Sequence, residues 1–153
     1  LWSKNKNFNP QKGFDNLKEP WVKKIAIANP THAPYGEKAK QALETLGIYK
    51  DVEKQLVLGE NISHTAQFVE SGAADMGIIA LSLALAPNIS KGTNPAYYLI
   101  DYKLHQPLLQ VYSITKYAKD SVLARQFYDF IGTDTAKAIF KQYGFDIPAD
   151  FKQ

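Results

Sequence analysis

Three short apolar runs, residues 24–28, 54–58 and 76–81, alternate with two segments whose apolar residues recur at helical spacing. This alternation limits the chain more than any other feature. A run that is apolar throughout belongs to a strand covered on both faces, and strand, helix, strand in succession is the unit that builds a parallel sheet. The sequence therefore predicts an α/β lobe with a mostly parallel central sheet flanked by helices and joined by right-handed crossovers. The first helix starts at Pro34, carries Ala39, Ala42, Leu43 and Leu46 on one face, and is closed by Gly47. The second has Asn61 as its N-cap and carries Ile62, Ala66 and Val69 as far as Ser71-Gly72.

Outside this unit the pattern is weaker. Leu1-Trp2-Ser3 reads as the tail of a strand, with the expectation that more chain precedes it, and residues 13–20 read as a connector. Pro87, Asn88, Gly92, Asn94 and Pro95 interrupt the region after Ala84, with a short strand expected at 97–100. Residues 108–114 alternate and are expected to form a strand that crosses to a neighbouring lobe. Asp120 or Ser121 caps a helix carrying Val122, Leu123, Phe127, Phe130 and Ile131 up to Gly132; Thr133 opens another with Ala136, Ile139, Phe140 and Tyr143, ended by Gly144. Each tail helix has one apolar face that needs a surface to pack on.

Charge and composition exclude several classes. Eighteen basic residues face 15 acidic ones and the lysines are scattered, so nucleic acid is not an expected partner. No run of about 18 apolar residues spans a bilayer, and no signal-peptide pattern opens the chain. Cysteine is absent, which removes disulfides and thiolate chemistry and agrees with an oxidising compartment. Nothing calls for a cofactor.

The two strand-to-helix loops, residues 29–36 and 59–63, carry the most specific signal, because ligands of open α/β sheets gather at the carboxyl ends of the strands. The first turn of a helix has unpaired N–H groups and the positive end of the helix dipole, which together hold a small anion without a lysine. Pro34 has no N–H, so Tyr35 N–H is the first donor of one loop, with Gly36 behind it letting a ligand or another backbone come close. Asn61 caps the other loop, leaving Ile62 N–H as donor beside Ser63. Ordinary capped loops have the same spacing. His32 and His64 lie in or beside these loops, and their positive charge would favour an anion at low pH; equally, they are surface histidines. No metal-site spacing links them with His105. Ser63, His64 and Asp75 form the one local hydrolase set, but neighbouring side chains on a helical turn diverge. Glu44 with Asp51 and Asp146 with Asp150 read as solvated carboxylates. Trp2, Trp21, Tyr97, Tyr98 and Tyr102 read as core and lobe-contact residues, with a sugar platform as the alternative.

Taken in order, residues 25–30, Ala33-Pro34-Tyr35-Gly36, Gly59-Glu60-Asn61-Ile62-Ser63 and residues 77–82 resemble the periplasmic molybdate-binding proteins. Leu1-Trp2-Ser3 is similar to that family's first crossing strand, and Phe130-Ile131-Gly132 through Tyr143-Gly144-Phe145 to its final helices. The resemblance implies a type II binding protein that encloses molybdate or tungstate between two lobes and delivers it to the membrane permease of an ABC importer. It implies a periplasmic or extracytoplasmic location and no catalysis. On matching positions, the anion contacts are the N–H groups of Tyr35 and Ile62, supported by Pro34, Gly36, Asn61 and Ser63. Ala80 stands where some members place a tyrosine on the anion. The family's first-lobe donors precede the equivalent of Leu1, so half of the cage is expected to be absent and binding weak. Residues 3–108 then form the second lobe, and 109–153 the crossover strand and helices that normally complete the first. Tail helices without their sheet would fold back on the lobe or associate with another copy. An effector-sensing domain of a transcription regulator, or a binding protein for sulfate or chromate, stand as alternatives.

Overall fold

In the computed structural model, which describes residues 1–91 and 96–148, the chain divides into two units, Leu1–Leu108 and Leu109–Gln153. Gly92, Asn94, Pro95 and Asp150 lie outside the described residues.

The first unit is built on a parallel sheet of order β2-β1-β3, with β1 at Ile25–Ala28, β2 at Leu56–Gly59 and β3 at Met76–Gly77. All four residues of β1 are fully buried, which explains why the run is apolar at every position. Ile25 and Ile27 pack with Leu43 of helix α1 (Pro34–Thr45), whereas Ala26 belongs to a second cluster with Val69 and Trp2. The sheet is thus covered on both faces, by α1 on the isoleucine side and by α3 (Ile62–Ser71) on the alanine side. A short helix α2 (Tyr49–Val52) and a 3-10 turn lead into β2. Pro34 occupies the first turn of α1, and Gly72 ends α3 in the left-handed conformation.

Trp2 extends the sheet beyond β3 through antiparallel bridges to Gly77 and Tyr97. It exchanges two backbone hydrogen bonds of 2.9 Å with Gly77. The stretch 97–100 contributes this bridge instead of a full strand. The third apolar run is also shorter than its composition indicates: Ile78 N–H still reaches Ala26 O at 3.0 Å, but the chain then turns into α4 (Leu81–Ala84), followed by α5 (Pro87–Ser90). Residues 10–18, of which 13–18 read as a connector, form 3-10 turns. Buried Asn16 organises them by accepting from Asn9 N–H and donating to the carbonyls of Asn9 and Gly13. Trp2 is core with Tyr97 packed against its cluster, and Trp21 and Tyr98 pack against the isoleucine-side cluster; Tyr102, by contrast, is 75% exposed.

In the second unit, Ser121 caps helix α6 (Val122–Ile131) and Thr133 caps helix α7 (Asp134–Gln142), each accepting from a backbone N–H three residues on. The strand expected at 108–114 does not form. Leu109 and Val111 are 78% and 93% exposed, and the segment joins no strand among the described residues. Alternation alone does not make a strand, because its backbone groups need a neighbouring edge to bond to. The apolar face of α6 likewise leaves Val122, Leu123 and Phe127 exposed. Among the described residues no helix is long and apolar enough to cross a membrane.

Leu43, fully buried between α1 and β1, tests this core. Leu43→Ala is expected to lower unfolding free energy by about 3 kcal/mol, read from urea denaturation followed by circular dichroism.

Candidate anion-binding loops

The sheet register brings the two loops together. β1 and β2 are adjacent and parallel, and they end level, with Ala28 opposite Gly59. One further ladder bond, Asn29 N–H to Gly59 O at 2.7 Å, closes the pair at its carboxyl end. From there each chain turns into a helix, so the N-termini of α1 and α3 leave the same edge of the sheet side by side.

In the first loop the Asn29 side chain accepts from the N–H and the hydroxyl of Thr31, forming an Asx turn after the strand. Asn29 O accepts from Ala33 N–H at 2.8 Å, and Ala33 O from Gly36 and Glu37 N–H. Pro34 brings no donor. Tyr35 N–H is left with no protein partner among the described residues. Its phenol is half-buried, and desolvation pushes its pKa up. At Gly36 it is another stretch of backbone that comes close. A Cβ there would overlap the Ala28 carbonyl and come within 2.9 Å of Asn29 C, so only glycine lets the first turn of α1 rest on the end of β1.

In the second loop Asn61 caps α3 by accepting from His64 N–H at 2.9 Å, and its own carbonyl accepts from Thr65 N–H and hydroxyl. Gly59 is packed against Thr65, where a Cβ would sit 2.6 Å from the hydroxyl oxygen. Ile62 and Ser63 N–H, ahead of the first capped donor, have no protein partner among the described residues. Each loop therefore ends in a helix start whose leading N–H groups are unspent, and two dipoles point to the same side of the sheet.

Both histidines turn to backbone. His32 Nε2 lies 3.1 Å from Glu60 O, and Glu60 N–H points to His64 Nδ1 at 3.4 Å. Sequence spacing held no signal for the His32 contact, since 28 residues separate His32 from Glu60, whereas Glu60 and His64 are four residues apart. The hydrolase set is dispersed. Asp75 sits at the opposite, amino end of the strands, where its carboxylate accepts from Lys23 and Lys24 N–H at 2.8 Å, away from Ser63 and His64. Glu44 pairs with Lys40 on α1 at 3.7 Å as a solvated carboxylate. Among the described residues no three of His, Asp and Glu gather as a metal site.

Comparisons with known proteins place the chain in a family. The family of bacterial extracellular solute-binding proteins matches residues 1–146. The chain is 32% identical over 147 residues to the molybdate-binding protein of Azotobacter vinelandii, covering 96% of this chain and 57% of that protein. It is 30% identical over 139 residues to a putative ABC transporter substrate-binding lipoprotein of Bacillus subtilis, covering 89% and 50%. The structure of the Azotobacter vinelandii periplasmic molybdate-binding protein superposes with a TM-score of 0.83 at 27% identity, over 96% of this chain and 63% of that one. The chain spans about half the length of the curated relatives it matches.

Two substitutions test how the loops are held. Gly36→Ala is expected to destabilise the chain by about 3 kcal/mol, because the backbone carbonyl it meets cannot yield. Asn61→Ala is expected to cost about 1 kcal/mol through the lost cap. Denaturation midpoints that leave Gly36→Ala as stable as the parent would refute the close packing of α1 on β1.

Proposed function

We propose that this chain, which belongs to the bacterial extracellular solute-binding protein family, supplies one face of an oxyanion site that captures molybdate or tungstate for an ABC importer. The observation that carries the reading is the pair of helix starts leaving adjacent parallel strands with Tyr35 and Ile62 N–H unspent. The molybdate-binding relatives support the choice of ligand. Pro34 and Gly36 shape the first loop, and Asn61 and Ser63 the second. The protein acts by binding, outside the cytoplasm, and its partner is the membrane permease that receives the anion.

Selectivity follows from the donors. Backbone N–H groups only donate, so a fully ionised tetrahedral dianion is satisfied, whereas the O–H of a protonated phosphate meets no acceptor and is rejected. Sulfate is also a dianion, and only the size of an enclosed cavity separates it from molybdate. By the resemblance, the remaining donors belong to the first lobe. Each absent charge-assisted hydrogen bond removes about 1.5–3 kcal/mol, so two or three lower the affinity of this chain alone by several orders of magnitude.

Isothermal titration of molybdate, tungstate and sulfate into this chain, and into a version joined behind the N-terminal portion of the Azotobacter relative, tests the reading. Tight binding by the joined protein alone, with molybdate or tungstate above sulfate, is the expected result. Micromolar affinity in the isolated chain would refute the half-site, and no binding in either would refute the oxyanion assignment. In the joined protein Ile62→Pro removes one donor at little structural cost. Ile62 is the first residue of α3, and Asn61 already has the extended conformation (φ −150°, ψ 176°) that a following proline requires. Affinity is expected to fall about tenfold or more, with Ile62→Ala as the control that keeps the N–H.

A further inference from the structure

We propose that His32 and His64 are positioning residues for anion capture, holding the backbone of Glu60 between them and so fixing the Ile62 loop against the Tyr35 loop. The β1–β2 ladder ends at Asn29 N–H to Gly59 O. Beyond it, among the described residues, the His32 contact with Glu60 O is the one hydrogen bond joining residues 30–36 to residues 60–64. On its other side the same residue, Glu60, points its N–H at His64 Nδ1, and His64 is braced by the Phe68 ring with centroids 4.4 Å apart.

The partners dictate the ring protons. A carbonyl only accepts, so His32 Nε2 carries a hydrogen; a backbone N–H only donates, so His64 Nδ1 bears a lone pair and its proton is on Nε2. A functional consequence follows from the placement of the donors. Tyr35 N–H and Ile62 N–H stand on separate loops, and one anion gains from both only when their separation is set before it arrives. Otherwise the ordering of the loops is charged against binding. This consequence for affinity rests on the oxyanion reading above; the latch itself does not.

Substitutions that keep one atom and remove the ring distinguish positioning from general stability. Glutamine places an amide nitrogen where Nε2 of His32 stands, and asparagine an oxygen acceptor where Nδ1 of His64 stands. In the joined protein, His32→Ala and His64→Ala are expected to weaken molybdate binding about 5- to 10-fold, whereas His32→Gln and His64→Asn stay within about 2-fold of the parent. Alanine variants that bind like the parent, or conservative variants that lose as much as alanine, would overturn the proposal. In the present chain, with no ligand added, nitrogen-15 ring spectra are expected to show Nε2 protonated in both histidines and Nδ1 of His64 unprotonated. Amide exchange at Glu60 is expected to accelerate in His64→Ala. A proton on Nδ1 of His64, or unchanged exchange, overturns the latch whatever the calorimetry gives. If the joined parent takes up no oxyanion, the functional reading fails, and these ligand-free measurements still decide the latch.

Discussion

The first turn of α1 rests directly on the carbonyl end of β1, and most of the site geometry depends on that contact. Gly36 lies against the Ala28 carbonyl so closely that no side chain fits between them. The consequence is a helix start held at the rim of the sheet instead of a few ångströms above it. Tyr35 N–H, one residue earlier, is thereby kept at the edge where β1 and β2 end level. Gly59 does the same for α3 by letting Thr65 close against the end of β2. Two glycines, one at each strand-to-helix connection, bring two helix dipoles to a common edge.

At that edge, among the described residues, the N–H groups of Tyr35, Ile62 and Ser63 have no protein partner. Such a place suits a small, fully ionised anion, because charge-assisted hydrogen bonds from backbone cost no side-chain ordering and cannot be lost by titration. Donors arranged on one rim face one side of a tetrahedral anion, and an oxygen on the far side remains with water unless another surface covers it. The relatives, about twice as long as this chain, have room for that second surface.

Much of this was legible in the residues. The uninterrupted apolar run of β1, the helical spacing after Pro34, and Asn61 ahead of Ile62 identify the buried strand and both helix starts, since burial on two faces and capping leave local signatures. Other features were not. The third run is apolar through Leu81 yet leaves the sheet after Ile78, and residues 108–114 alternate yet pair with no strand among the described residues. In both cases the pattern records which side chains avoid water, whereas a ladder depends on whether an edge is within reach. Gly36 reads as a place where a ligand or another backbone comes close, and only the structure shows which: its nearest neighbour is the Ala28 carbonyl, 8 residues earlier in the chain.

The sequence by itself determined the α/β character of the first unit, the helix starts at Pro34 and at Asn61-Ile62, and Tyr35 and Ile62 N–H as groups left unbonded, because those follow from short-range periodicity and from which groups the first turn cannot pair. Tertiary structure alone decided that β1 and β2 are neighbours ending in register, that Asp75 lies at the far end of the strands from His64, and that His32 and His64 meet at Glu60. The physical reason is range. Periodicity and capping act over a few residues, whereas these contacts join positions up to 52 residues apart, and they exist only once the sheet has set the order of its strands.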